Sequence, residues 1–219
     1  EATKNYGAEV ILTGASFQEA YEASVKKQLE TGAVYIHPFD DYDVMAGQGT
    51  IAMEMLRQED RIDTFIVPIG GGGLISGIAV AAKHVNKNIK VIGVEARASC
   101  AMYHAFHGKK SKVQQSDTTI AEGIHVKEPG KLTSKVIKKY VDDIITVEES
   151  EIAASILYML ERNKTLVEGA GAVALAALFA HNKYIKSRHC GIIVSGGNMD
   201  LSAIPMIQRL ADHKIHSPA

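Results

Sequence analysis

The chain has 219 residues, 46% of them hydrophobic, which supplies a large core, and its 24 Lys plus Arg against 25 Asp plus Glu leave a formal net charge of -1. That balance excludes the basic excess a phosphate backbone requires, so nucleic acid is not expected as a partner. No apolar run approaches the roughly 18 residues of a membrane helix and no charged segment followed by an apolar run opens the chain, so neither a membrane nor secretion is expected, and the cytoplasm is the default compartment.

In chain order, Ala8 to Thr13 (AEVILT) predicts a strand, and Ser16-x-x-Glu19 predicts a capping box opening a helix with Phe17, Tyr21, Val25 and Leu29 on one face. Ala33 to Ile36 predicts a second strand. After the turn HPFDDYD, a helix begins over Gly49 to Leu56, and Ile62 to Val67 predicts the strand that feeds a run of four glycines. Lys90 to Val94 predicts a strand, Ser99 to His107 and Lys131 to Tyr140 two helices, and Asp143 to Val147 a strand. A capping box at Thr146-x-x-Glu149 then opens a helix reaching Arg162. Ala170 to Ala180 is an apolar helix, Ile192 to Val194 a last buried strand, and Leu201 to Leu210 a closing helix.

Strands alternating with helices make an α/β fold with a parallel twisted sheet covered on both faces. The boundary expected near residue 45 divides the chain into 1–45 and 46–219. Because Glu1 is not a methionine and the first ten residues already read like domain interior, the sequence is expected to be a piece of a longer chain.

The glycines in VPIGGGGLISGIAVAA carry the first chemistry. Gly70, Gly71, Gly72 and Gly73 can present successive amides to an anion, and a helix starting at Leu74 adds its own free donors and dipole. A tight turn with close helix packing is the other reading, but it needs one or two glycines, not four. No lysine and hydroxyl follow Gly77, which excludes a P-loop NTPase. A dinucleotide site stays open, since Glu95 closes the next strand where a ribose-binding acid would stand, although Ser76 replaces the third glycine of GxGxxG. A second cluster, GIIVSGGNMD, puts Ser195 at a strand end before Gly196 and Gly197. Both clusters are expected at one sheet edge, so that a phosphate and a hydroxyl could hold two ends of one ligand.

The tetraglycine loop, GVE at 93–95, TIAEG at 119–123, VDDIITV at 141–147, LVEGAGA at 166–172 and VSGGN at 194–198 together resemble the serine/threonine dehydratases, pyridoxal-phosphate enzymes of fold type II. AGQGT at 46–50 and IHPFDD at 36–41 fit the same pattern, and the resemblance, nearest to the catabolic threonine dehydratases, runs along the whole chain. It implies a large cofactor-binding domain at 46–219 and a remnant of a small domain at 1–45. By the same resemblance, the amides of Gly70, Gly71, Gly72, Gly73 and Leu74 would bind the cofactor phosphate, Ser195 and Gly196 would meet the ring at its nitrogen, Glu168 would flank the ring, and Gly123 would admit the backbone close to it. Glu168 can equally be read as a charge compensating a helix N-terminus.

The implied reaction is the deamination of L-threonine, and less selectively L-serine, to a 2-oxo acid and ammonia, in a homodimer or homotetramer, with AMP as an effector in some members. Two rivals stand beside it: a serine racemase, and a non-catalytic nucleotide- or phosphate-binding module. The family's Schiff-base lysine, in Ser-x-Lys-x-Arg-Gly, has no counterpart in this sequence, so no catalytic residue is assigned and the chain alone is expected to be inactive. A divalent-cation site known from racemases would use Glu95, but its partner positions are Ser99 and Ala101, which leaves Glu95 a weak candidate and no metal assigned. Cys100, His104 and His107 share a helical face at a spacing that could present ligands to zinc, but a fourth ligand is missing.

Overall fold

A computed structural model of the protein describes residues 2–14, 17–109 and 118–215. The chain forms two compact units, Glu1–His37 and Pro38–Ala219. The first holds α1 (Ala2–Asn5) and α2 (Phe17–Thr31) and a ring cluster in which Tyr21 and Tyr35 meet edge to face at 5.8 Å. Ser16, the expected cap of α2, lies outside the described residues. The strands expected at 8–13 and 33–36 do not form; both segments are irregular, with Leu12 and Val34 exposed. A β-prone sequence becomes a strand only when a neighbour completes its ladder, and none of the described residues pairs with these segments.

The second unit opens with α3 (Tyr42–Gln58), which starts earlier than the sequence suggests because Asp41 caps it, its carboxylate accepting from Asp43 N at 2.8 Å and Val44 N at 3.1 Å. Residue 45 therefore lies inside a helix. There follow β1 (Thr64–Pro68), α4 (Gly73–Val85), β2 (Lys90–Ala96), α5 (Ala101–Phe106), α6 (Lys131–Tyr140), β3 (Asp143–Val147), α7 (Glu149–Tyr158), α8 (Gly169–Ile185), β4 (Cys190–Ile192) and α9 (Ile204–Ile215). The capping box of α7 is Glu148 with Glu151, not Thr146 with Glu149. Thr146 is still in the ladder, opposite Glu95, so the cap falls after the strand has ended. The helix expected to reach Arg162 ends at Tyr158 and widens into a single π turn, Met159–Asn163. The last strand is displaced to Cys190–Ile192, where its ladder with Thr64–Ile66 runs.

The described strands form one parallel sheet in the order β3-β2-β1-β4. Its central strand β1 is buried throughout, as a strand covered on both faces must be. Phe65 and Val67 point into the layer of α3, α4 and α6, whose core includes Ile75, Ile78 and Ile137. Ile66 points into the opposite layer, with Ile152, Val173 and Ile207 of α7, α8 and α9. The chain steps from β1 outward through β2 and β3, then returns to add β4 on the other side of β1. Such a reversal marks the carboxyl ends of β1 and β4, where open α/β sheets form the crevice in which they bind ligands.

Candidate functional site

Both glycine clusters leave the sheet at that crevice. After β1, Ile69 N is held by Val94 O at 2.8 Å, and the chain turns through Gly70–Gly72 into α4. Gly72 has φ +93°, a left-handed conformation that glycine adopts without strain. Among the described residues, no hydrogen bond takes up the backbone N–H of Gly70, Gly71, Gly72, Gly73 or Leu74, although Gly71, Gly72 and Gly73 are buried. Buried donors are almost always paired, so a loop with several free ones at a helix N-terminus can receive an anion.

The back of the loop is filled. A Cβ on Gly71 would stand 2.2 Å from the Phe39 ring, and one on Gly70 would stand 3.0 Å from Ile124 Cα. Thr133 Oγ1 donates to Gly71 O at 2.7 Å. The loop thus packs against Phe39, Ile124 and Thr133 while its amides stay unbonded among the described residues. These three supports went unread in the sequence; Phe39 stands in the quoted HPFDD turn, whereas Thr133 carries no local signal.

From β4, Ile193 N bonds Ile66 O at 3.1 Å and carries the chain to Ser195, which is exposed at the crevice. Gly196 O accepts from Glu168 N at 3.1 Å. Glu168 precedes α8, but its side chain makes no capping bond. Its carboxylate instead lies over the second cluster: a Cβ on Gly196 would be 2.2 Å from Glu168 Oε1, and one on Gly123 would be 3.5 Å from the same atom. Gly123, Glu168 and Gly196 are therefore neighbours, and the adjoining Ile124 touches the first cluster, so the 119–124 segment bridges the two.

Glu95 is spent elsewhere. Its side chain is 2% exposed and accepts from Tyr103 N at 2.6 Å and Met102 N at 3.1 Å, filling the N-terminus of α5. Burial pushes its carboxyl up to about 8, against the pull of those two amide bonds. Cys100 Sγ lies 3.4 Å from His104 Nε2, while the His107 ring turns to Ile144 O at 3.0 Å, so the three do not converge. Among the described residues no group of three or more His, Cys, Asp or Glu is placed to hold a metal ion.

A family profile described as pyridoxal-phosphate dependent enzyme matches residues 1–196. The chain belongs to that family. Proteins similar to it include the L-threonine ammonia-lyase of Thermotoga maritima, 46% identical over 94% of this chain and 51% of that protein. The chain thus spans about half the length of that relative. Among solved structures, threonine deaminase isoform 2 of Solanum lycopersicum superposes with a TM-score of 0.88 at 35% identity, over 96% of this chain and 62% of the other. Maize serine racemase superposes with a TM-score of 0.85 at 37% identity, over 97% and 66%. The fold is that of the fold type II pyridoxal-phosphate enzymes, as the alternating strands and helices together with the motifs predict. The loop's residues fit the phosphate of the family's cofactor, since amides with no acceptor among the described residues stand at the N-terminus of α4 beside Gly72's left-handed turn.

Proposed function

We propose that the chain forms the cofactor-phosphate lobe of an enzyme that deaminates L-threonine, and L-serine less selectively, to a 2-oxo acid and ammonia. The observation that carries this reading is the set of acceptor-less amides from Gly70 to Leu74 at the crevice between β1 and β4. Those amides would hold the phosphate, with the α4 dipole favouring its negative charge. Ser195, which follows the adjacent strand, would donate its hydroxyl hydrogen to the ring nitrogen, and Gly196, Glu168 and Gly123 would stand near the same site. A neutral serine does not hold a proton on that nitrogen as an aspartate would, which suits elimination of a β-hydroxyl more than transamination. When bound, the cofactor supplies the electron sink that loosens the α-proton and lets the β-hydroxyl depart.

The test is formation of 2-oxo acid from L-threonine by the full-length enzyme, with chiral analysis of serine run in parallel. Racemised serine without 2-oxo acid would replace this reading with a racemase, and tight NADH binding without affinity for pyridoxal phosphate would replace it with a nucleotide-binding module. The 219-residue chain alone, whose sequence holds no Ser-x-Lys-x-Arg-Gly, is expected to give no turnover above background.

Ser195→Ala in the full-length enzyme is expected to keep the cofactor, because phosphate anchoring is untouched, and to lose turnover by about ten- to a hundredfold, as loss of one polar contact at a buried ring would cause. Unchanged threonine turnover would remove Ser195 from the mechanism.

A further inference from the structure

Resting on the cofactor-phosphate reading, we propose that Thr133 and Asp40 are positioning residues of the anion site: Thr133 turns the Gly71–Gly72 peptide so that its N–H faces the phosphate, and Asp40 holds Thr133 in place. A run of four glycines has the greatest backbone freedom a chain can have, so the direction of its amides must be fixed from outside. At the Gly71–Gly72 peptide the fixing contact is the Thr133 hydroxyl. Thr133 is fully buried, and its Oγ1 donates to Gly71 O at 2.7 Å. The carbonyl and the N–H of a trans peptide point in opposite directions, and no cis peptide occurs among the described residues. A hydroxyl that pins the Gly71 carbonyl on one side therefore drives the Gly72 N–H to the other, where no protein acceptor meets it among the described residues.

Thr133 is itself held from far along the chain. It lies in the first turn of α6, where backbone amides lack intrahelical partners. Asp40 supplies them: Oδ1 accepts from Leu132 N at 2.8 Å and Thr133 N at 3.0 Å, and Oδ2 from Lys131 N at 3.0 Å. The preceding residue, Phe39, lays its ring against Gly71, where a Cβ would be 2.2 Å away. Two consecutive residues thus steady both the glycine loop and the helix that clamps it. The Asp40 carboxylate also fills the N-terminus of α6 with negative charge, which leaves the N-terminus of α4 as the one with free amides beside Gly71.

The probe is pyridoxine 5′-phosphate, which lacks the aldehyde and so cannot condense with surface lysines; pyridoxine, without the phosphate, is the comparator. Titration of the full-length enzyme, freed of its own cofactor, is expected to show Thr133→Val weakening pyridoxine 5′-phosphate roughly tenfold, the size of one hydrogen bond to a charged group, with pyridoxine affinity unchanged. Thr133→Ser, which keeps the hydroxyl, restores binding, and Asp40→Asn weakens the phosphate ester by about threefold. Equal affinity of Thr133→Val and wild type for the phosphate ester overturns the proposal, as does a parallel loss of both ligands, which would make Thr133 merely structural. If Thr133→Val does not fold, Asp40→Asn carries the same decision. A wild-type full-length enzyme that binds pyridoxine 5′-phosphate no better than pyridoxine overturns the cofactor reading itself, an outcome separate from failure of the variants.

Discussion

Gly77→Ala is expected to destabilise the protein by about 2–4 kcal/mol, although alanine is the better helix former by about 1 kcal/mol. Gly77 lies where α4 crosses α3. A Cβ there would stand 2.0 Å from Met45 O, 2.6 Å from Gly49 N and 3.1 Å from Gln48 C, all backbone atoms of α3. A flexible side chain could swing away, but a helix backbone can only move as a whole. Moving α3 would open the packing of Ala52 and Met55 against the sheet. Gly47, on the same helix α3, is the control: a Cβ there meets nothing within 4 Å, so Gly47→Ala is expected to stabilise by about 0.5–1 kcal/mol. Urea midpoints of the two variants should therefore move in opposite directions. A Gly77→Ala midpoint equal to wild type would show that the two helices do not pack backbone to backbone.

The stability of the wild-type fold is expected to fall by roughly 3–5 kcal/mol between about pH 5 and pH 8, and Glu95→Gln is expected to abolish most of that fall. The folded chain holds Glu95 at about 8, from an ordinary value of 4.5, because burial penalises its charge more than the amides of Tyr103 and Met102 favour it. Below 4.5 both folded and unfolded chains carry the proton, and the full stability is present. As the pH rises, the unfolded chain releases a proton that the folded chain retains, so each unit costs about 1.4 kcal/mol until the folded group ionises near 8.

Other shifted carboxylates act outside this window. The hydrogen bond from Arg61 holds Glu59 at about 2. Burial pushes Asp63 up, but hydrogen bonds from Ser187, Arg188, Thr64 and His189 outweigh it and hold it at about 2. Both lose their contribution only toward the acid end. Denaturant unfolding at several pH values, with a chelator present, measures the slope. A wild-type stability that is level from pH 5 to 8, or a Glu95→Gln variant with the same slope, would mean that Glu95 is ionised in the folded chain.

The parts of this fold that declare themselves locally were legible. β3 and α6 fall at the residues the pattern predicts, and β1 and β2 differ by a residue or two at their ends, because a buried parallel strand is a short apolar run whatever its neighbours. Segments whose state depends on a partner were not. The stretches 8–13 and 33–36 have strand composition and no ladder, while Asp41 begins α3 inside what reads as turn material. The site divides in the same way. Its glycine clusters are visible because a bare backbone has few other uses, and the parallel alternation already places them at one edge. Thr133, Phe39 and Asp40 were invisible as a group, since Asp40 meets Leu132 and Thr133 across more than ninety positions of chain. The sequence leaves Glu168 open between flanking the cofactor ring, by resemblance, and compensating a helix N-terminus; in the fold its carboxylate makes no capping bond and lies at Gly196, an arrangement set by the approach of another segment.

The late arrival of β4 beside β1 also sets an order of assembly. Ile66 pairs with Ile92 soon after it is made, but its second neighbour, Ile192, comes more than a hundred residues later. Asp63 likewise waits for Ser187 and Arg188. Closing so long a loop is slow, so during synthesis the glycine loop after β1 exists well before the wall that faces it. A nascent chain therefore passes through a stage with one flank of β1 unpaired and aggregation-prone, and a ligand that needs both walls can engage only once that stage is over. Binding then favours the finished fold by mass action, which makes ligand supply a determinant of how much protein survives.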